Sequence, residues 1–449
     1  MGLEICTIGG YEEVGKNMTA VKIDDDVVIF DAGIYLPALV EREEPDAKIS
    51  LSGPQLRKIG ALPDDKILDT IGWTKKVRSI IVGHAHLDHV GAVPYIAPKY
   101  SSAEILGTSF TIEVLMSILD DEHIHLRNLI RKIKADTSYT IKGKSNNYLV
   151  EFIRTTHSTI QCVFVALHTP YGTVFYALDF KFDDHPVMGE PPNYKKLKEL
   201  AKRGIEVLIV DSLYSGAERR TPSERIARNL VEEAINNART KEGAIFITTF
   251  SSHIARLKSI VEFGKKTNRE IIFIGRSLSR YVQCAINSHE CPFIKSVRVL
   301  KYRRQVDSFL KKLSNNRSKY LIVCTGHQAE PGSILDRIVS NSTPFRFQSG
   351  DHLIFSSSVI PTPKNILSRE NMDKRLKLLG VRLQTDVHVS GHGGREDLRD
   401  LVEILKPKNI IPAHGSLKQE MPMVELSTEL GYKSGKNVFL SANGRVIKF

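Results

Sequence analysis

The sequence predicts an α/β protein of two folding units, one inserted into the other. Three observations carry this. The chain has 449 residues, 41% of them hydrophobic, which is long for one core and suggests two. Its opening reads as short apolar runs joined by turns, and its middle as the strand–helix alternation that implies a parallel sheet. Strand and helix signals then resume near the C-terminus. We place the first unit at residues 1–215 and 366–449 and the insert at 216–365.

Taken in order, residues 3–8 form an apolar strand ending at Gly9-Gly10. Residues 18–23 and 27–30 flank the acidic turn Asp24-Asp25-Asp26, a hairpin signal. Asp31 ends the second arm. Residues 36–72 mix Pro and Gly and read as an irregular excursion, long for a plain connection. Residues 78–82 are a buried strand, 109–119 a helix, and 148–154, 162–167 and 172–178 strands. A helix at 195–202 and a strand at 206–210 lead to Asp211. A helix over 222–237 begins at Thr221, with Glu224 three residues on as in a capping box. Strand 244–248, helix 253–265, strand 271–274, a helix from about 279 and strand 320–324 give the alternating pattern. Strand 351–356, helix 371–379, strand 384–389, helix 395–405, strand 409–412, a helix near 423–430 and strands at 438–440 and 446–448 close the chain.

Composition narrows the class. Lys and Arg number 63 against 51 Asp and Glu, a net charge of +12. That favours an acidic partner, nucleic acid or an anionic membrane face, although many basic enzymes bind no polymer. No stretch approaches the roughly 18 apolar residues of a membrane span. Met1-Gly2-Leu3-Glu4-Ile5 lacks the basic and apolar regions of a signal peptide. Five scattered cysteines with no C-x-x-C pair fit a reducing compartment. A soluble, cytoplasmic protein is the expectation. Aromatic residues are 7% of the chain, with one Trp, so no aromatic ladder for stacking bases is present, and polymer recognition would rest on phosphates and cleft shape.

The strongest signal is Gly83-His84-Ala85-His86-Leu87-Asp88-His89. A helix would spread these side chains around its axis; a tight loop after a strand can converge them on one point. Imidazole and carboxylate together suit zinc, with manganese or iron as competitors. His157, Asp179 and His414 recur just past strand ends, where α/β folds gather their active sites. Seven such ligands can hold two metals if one carboxylate bridges. The absence of Cys argues against a purely structural zinc site, and a metal pair favours hydrolysis. Gly9-Gly10 with Gly15 lacks the dinucleotide fingerprint, and no phosphate-binding Gly-Lys-Ser or Gly-Lys-Thr loop occurs.

The His-x-His-x-Asp-His run resembles the signature of the metallo-β-lactamase fold superfamily. That resemblance implies an αββα sandwich. It implies Asp31 as support for the metal loop, His84, His86 and His157 on one metal, Asp88, His89 and His414 on the other, and Asp179 bridging. Asp211, His392 and His414 resemble motifs A, B and C of the β-CASP nucleases, whose α/β domain is an insert in that sandwich. Residues 9–18, 325–331 and 389–398 are similar to segments of the ribonuclease J family, in its short archaeal form without the extra C-terminal domain.

The resemblance implies two zinc ions, with manganese able to support activity, and single-stranded RNA as substrate. It implies hydrolysis from the 5′ end with preference for 5′-monophosphate, the alternative being an endoribonuclease of the same fold. Homodimers are common among related enzymes. Asp88 would orient the attacking water and take its proton. His392 would neutralise phosphoryl charge and protonate the leaving oxygen, and Asp211 would orient a neighbouring histidine. A 5′-phosphate pocket is expected from Ser357, Ser358, His388, Ser390, Gly391 and Gly393, with His388 two residues before Ser390 on one strand face. Arg276 follows a strand and is placed to contact phosphate; Arg219-Arg220, Arg280 and residues 301–304 are further basic candidates. Glu12, Glu13 and Lys16 carry no assigned role. A lactonase or thioesterase is disfavoured by the insert and His392, and a non-catalytic RNA-binding subunit by the complete ligand set.

Overall fold

Three sheets organise the chain in the computed structural model, which describes residues 2–40, 51–238, 242–360 and 362–449. The first has seven strands in the order Arg445–Lys448, Leu3–Gly9, Met18–Ile23, Asp26–Phe30, Val77–Val82, Glu104–Gly107 and Ile130–Lys132. The second has six, in the order Asn409–Ala413, Ile205–Asp211, Gly172–Ala177, Val163–Thr169, Asn147–Arg154 and Thr137–Lys142. These two sheets face one another. Alternating residues such as Ile5, Val21, Val28, Phe152, Val165, Tyr176 and Ile209 fill the space between them, as the period-2 alternation of strand side chains requires. The outer face of the second sheet is covered by the helices Tyr194–Arg203, Arg395–Leu405 and Leu417–Glu429. The outer face of the first is covered by Ser109–Asp121 and by part of the insert. This is the expected αββα sandwich. Both ends of the chain build it: Ile209 pairs with Ile411, and Ile5 with Ile447.

The insert is a parallel six-stranded sheet in the order Arg298–Leu300, Glu270–Ile274, Tyr320–Cys324, Ile245–Thr248, His352–Phe355 and Arg382–Gln384. One face packs toward the sandwich, with helix Arg276–Asn287 against helix Ser109–Asp121. The opposite face carries helices Arg303–Ser314, Ile334–Val339 and Pro363–Leu378.

Several expectations are corrected. The insert does not end at 365. Its last strand is Arg382–Gln384, and the helix before it packs in the insert core through Met372 and Leu376. That helix starts at Pro363 because Thr362 accepts the Asn365 N–H and Pro suits the first helical position. The helix expected from 222 starts at Glu224, capped by Ser223 and not by Thr221. The helix expected near 279 starts at Arg276. The strand expected over 384–389 stops at Gln384, and Asp386 takes a left-handed φ of 63°; His388 and Ser390 therefore do not share a strand face. Residues 438–440 make only isolated bridges, Val438 to Ile410 and to Ser434. Helix Arg303–Ser314 and strands Glu104–Gly107 and Thr137–Lys142 were not foreseen. Of the irregular excursion, residues 41–50 lie outside the described residues; the rest holds short helices at Leu36–Val40, Gly53–Lys58 and Ile67–Thr70. No described helix is long and apolar enough to cross a membrane.

Candidate metal centre

Three strands end in residues with left-handed backbones: Asp31 at φ 58°, Asp179 at 51° and His414 at 57°. Such conformations are uncommon for residues other than Gly and concentrate at functional sites. Here each turns the chain sharply after its strand. Past strand Val77–Val82, the Gly83 N–H donates to Asp31 Oδ1 at 2.9 Å. His86 then takes the N-cap position of the four-residue helix Leu87–Val90, with no capping bond from its side chain. The loop so formed converges His84, His86, Asp88 and His89, as the sequence suggested.

Three groups of candidate ligand atoms result, each within 4.8 Å; two of them share Asp179, and the third is Asp211, His392 and His414. In the first, His86 Nδ1 lies 3.2 Å from His84 Nε2 and 3.1 Å from His157 Nε2. Asp179 Oδ2 lies 3.3 Å from His84 Nε2 and 3.6 Å from His157 Nε2. In the second, Asp179 Oδ1 lies 3.2 Å from His89 Nε2 and 3.6 Å from His414 Nε2. Asp88 Oδ2 completes that group, 3.8 Å and 4.0 Å from the same two nitrogens. The two oxygens of one carboxylate thus face the two groups separately.

The electrostatics fit cations. Asp179 is buried, and its Oδ1 has no hydrogen-bond donor among the described residues; a buried carboxylate without compensation is costly. Burial alone would raise its pKa, but the surrounding imidazoles, His414 and His89 foremost, hold it well below the carboxylate range. Burial pushes His84 down, His86 down to about 3, and His157 well below its usual value. These three imidazoles are therefore neutral, the form that binds a metal. His89 moves the other way: burial opposes its charge, but Asp179 and Asp31 outweigh it.

A second layer fixes the ring orientations. Two of the histidines hold Nδ1 against an acceptor that fixes the proton there: His89 donates to Asp31 Oδ2 at 2.7 Å and His157 to the Gly391 carbonyl at 2.8 Å, each leaving Nε2 facing the centre. His414 Nδ1 meets the Asn17 amide, 3.0 Å from its Oδ1 and 2.8 Å from its Nδ2. Asp31 also accepts from the Tyr176 hydroxyl. Asn17 was missed by sequence reasoning. It is buried, and its Nδ2 also donates to the Asp88 carbonyl at 3.0 Å. Its partner His414 is 397 residues away, and only its place in the Gly9–Met18 segment marked it.

His392 stands at the rim. Its Nδ1–H donates to Asp211 Oδ2 at 2.7 Å, and its Nε2 lies 3.7 Å from Asp179 Oδ2. Burial disfavours its charge, but Asp179 and Asp211 prevail and its pKa is pushed up to about 9. Its side chain is 16% exposed and that of Asp88 21%, against 2% or less for Asp179, His84, His89, His157 and His414. With His86, which is half-buried, these two are the groups of the centre open to a substrate. Thr221, displaced from its expected capping role, donates its hydroxyl to the His392 carbonyl.

The expected phosphate pocket is only partly assembled as foreseen. Ser357 is buried with its Oγ unpartnered among the described residues. Ser358 is exposed beside it. Ser390 Oγ accepts the His392 N–H at 3.0 Å, and the Gly393 N–H donates to the Phe180 carbonyl, so neither is idle. Gly391 and Gly393 serve close packing: a Cβ would meet Ser158 at 2.7 Å and Asp397 at 2.7 Å respectively. His388 is pushed down to about 3 by burial and by Arg256, whose Nη1 lies 3.4 Å from its Nδ1; a neutral imidazole so oriented offers Nε2–H as a donor. Arg276 is exposed at the first turn of its helix. Arg220 and Arg280 are engaged by Asp400 and Asp121.

Sequence reasoning also missed Arg256, which has no exposed surface. It binds Glu224 through two nitrogens at 2.7 and 2.9 Å, and its Nη1 reaches Ser356 O, Ser356 Oγ and Val387 O at 2.9–3.1 Å. It therefore ties both loops of the expected pocket to the insert. A fully buried Arg in the first turn of a helix leaves no signal in a helical pattern.

Fold and centre together define a metallo-β-lactamase-type protein with a β-CASP insert. Residues 242–371 match the family model "Ribonuclease J, beta-CASP domain", and 380–440 match "Zn-dependent metallo-hydrolase RNA specificity domain". The chain is 42% identical over 448 residues to Ribonuclease J of Pyrococcus abyssi, covering 99% of this chain and 97% of that one. It is 40% identical to Ribonuclease J of Methanocaldococcus jannaschii, covering 100% and 99%. Ribonuclease J 1 of Streptococcus pyogenes is 30% identical over 99% of this chain and 74% of its own. The chain belongs to the ribonuclease J family. In fold it is similar to a crystal structure of a protein of unknown function from Enterococcus faecalis, with a TM-score of 0.65 at 15% identity and full coverage of both chains.

Proposed function

We propose that the chain is a metal-dependent ribonuclease that hydrolyses single-stranded RNA from the 5′ end, favouring 5′-monophosphate termini. The observation that carries this is the Asp179 carboxylate set between two ligand groups with the His392–Asp211 pair at their rim. The relatives are called ribonucleases J, and the net charge of +12 suits a polyanion.

His84, His86, His157 and Asp179 would hold one ion, and Asp88, His89, His414 and Asp179 the other. The mixed imidazole–carboxylate set suits zinc, with manganese also supporting activity. Bound ions of this kind acidify water and offset negative charge on a phosphoryl group. The chain's own residues supply the proton traffic. Asp88, the accessible carboxylate, orients the attacking water and takes its proton as the new P–O bond forms. His392 carries a proton on Nε2 while Asp211 accepts from Nδ1. As the P–O3′ bond breaks, that Nε2 proton passes to the leaving 3′-oxygen. Each cut leaves a new 5′-monophosphate on the remaining strand, so the product presents the same end group to the next cycle.

The preference for a 5′ end rests on Ser357 Oγ, Ser358 and the His388 Nε2–H as donors to a terminal phosphate. The test uses single-stranded RNA labelled at its 3′ end, with either a 5′-monophosphate or a 5′-triphosphate, and a chelator control. Progressive shortening blocked by the triphosphate is expected. Discrete internal cuts indifferent to the 5′ group would instead assign an endoribonuclease with the same centre.

A further inference from the structure

Residues 295–319 hold nine Lys and Arg and one Asp, a net charge of +8, while the other 424 residues carry +4 between them. This segment is the terminal strand Arg298–Leu300 of the insert sheet and the helix Arg303–Ser314. The helix buries Val306, Phe309, Leu310 and Leu313 on the insert face turned away from the sandwich, which leaves its charges in solvent. Asp307 is shared between Arg303 and Arg337, and Arg317 is taken by Asp351. Lys295, Arg298, Lys301, Arg304, Lys311 and Lys312 are exposed, with no carboxylate within ion-pair reach among the described residues. Unpaired like charges at this density repel one another. Arg303 and Arg304 also occupy the helix's first turn, which has no acidic residue, at the end of the dipole that disfavours cations. Local stability does not account for such a surface.

We infer that this edge of the insert is a docking surface for the phosphate backbone of RNA outside the cleavage cleft. Its position continues the proposed substrate path. The parallel strands end at one rim, where Ser356, Thr249, Thr325, Gly275 and Lys301 each follow a strand in sheet order. From the Ser356 end to the Lys301 end is four strand spacings, about 19 Å at ~4.8 Å each. Arg276 stands one strand before Lys301. Beyond the rim the charge continues down the helix, which spans roughly 18 Å at ~1.5 Å per residue. An RNA with its 5′ end near the centre would be held there through its phosphates, without base readout.

This inference rests on the ribonuclease reading, but its test is separable from it. The variant combines Lys295→Gln, Arg298→Gln, Lys311→Gln and Lys312→Gln, all exposed and outside the cleft. Equilibrium binding of the metal-loaded protein to single-stranded RNAs of about 40 and about 6 nucleotides is measured across a salt series, alongside hydrolysis of both. If the patch engages about four phosphates, the salt slope for the long RNA should shrink by about 2.8 and its affinity should fall at least tenfold at low salt. Binding and cleavage of the short RNA should be unchanged. Equal losses on both lengths would place these residues in the cleft or in folding and overturn the proposal. Unchanged long-RNA binding, with or without loss of an acidic protein partner, would overturn it too. Failure of the wild type to cleave RNA would refute the ribonuclease reading and leave the binding comparison standing on its own.

Discussion

Replacing Arg256 with Met removes the cation from a site with no solvent access and leaves Glu224, itself buried, without its main partner. The cost can be apportioned from the contacts. Two of the oxygens that Arg256 serves keep other donors: Ser356 O still accepts from Thr249 Oγ1 at 2.8 Å, and Val387 O from Ser356 Oγ at 2.9 Å. The penalty therefore falls mainly on Glu224, whose remaining partner within ion-pair reach among the described residues is His253, 3.4 Å away. Breaking one side of a buried pair costs about 3–5 kcal/mol, whereas removing both charges costs far less. Arg256→Met should thus destabilise the insert by about 3–5 kcal/mol, and Arg256→Met with Glu224→Gln by about 1–2 kcal/mol, so that the second substitution restores about 2–3 kcal/mol. Because a protein of two units need not unfold in one step, the assay is native-state hydrogen exchange on amides of the insert strands Ile245–Thr248 and Tyr320–Cys324. In both variants the loops at 356–358 and 387–393 should lose protection. A single variant no worse than the double would refute the reasoning, since Glu224 would then not need its partner. The pH dependence follows: Arg256 and His253, working against burial, hold Glu224 well below the usual carboxylate range. Its contribution is therefore complete above the unfolded value near 4.5 and lost as pH falls below it.

Three further outcomes are expected. His392→Ala should lower kcat on RNA by about 10²–10⁴-fold while metal content by elemental analysis stays near that of the wild type; an unchanged rate would remove His392 from the chemistry. Asn17→Ala should weaken the ion held by Asp88, His89 and His414 about 10–100-fold, so that stoichiometry under limiting metal falls from two toward one; two tightly held ions would show that Asn17 is not needed to orient His414. Glu420 is buried with Oε2 unpartnered among the described residues, and burial pushes its pKa up to about 8. A raised acid favours the folded state while protonated, so its contribution is present below 4.5 and lost as pH rises toward 8. Glu420→Gln should accordingly gain about 1–3 kcal/mol relative to wild type between pH 5 and pH 8.5, and parallel stability–pH curves would contradict this.

The candidate metal ligands were legible because their chemistry is concentrated. Four fall within six residues, and the other three follow apolar runs that can only be strands. Their backbone conformations were not legible, because nothing in the residue types of Asp31, Asp179 and His414 announces a left-handed turn. Asn17 and Arg256 escaped for a related reason: each matters through partners far along the chain. Where pattern misled, it did so by imitation. Val387 and Val389 alternate as a strand would, but both are buried in the loop that Arg256 fastens. Thr362 and Pro363 open a helix that packs on the insert, and this carries the insert past residue 365.

The loop at 387–393 carries more than its length suggests. Its Val387 carbonyl is bound by Arg256 of the insert, its Gly391 carbonyl accepts from the candidate ligand His157, and its His392 pairs with Asp211 of the sandwich. The His392 carbonyl further accepts from Thr221, just before the first insert helix. Insert and metal centre are therefore joined by hydrogen bonds to a single stretch of backbone. A rotation of the insert away from the sandwich would pull on Val387 before any ligand. To keep His157 and His392 in place, it must either break the Arg256 contacts or hinge between Val387 and Gly391. The first costs a buried charge pair its acceptors, and the second separates His388 from Arg256. Either way Ser357, Ser358 and His388 move relative to the candidate ligands, so in the proposed reading the integrity of this loop sets whether a bound 5′ end lies in register with the cleavage site.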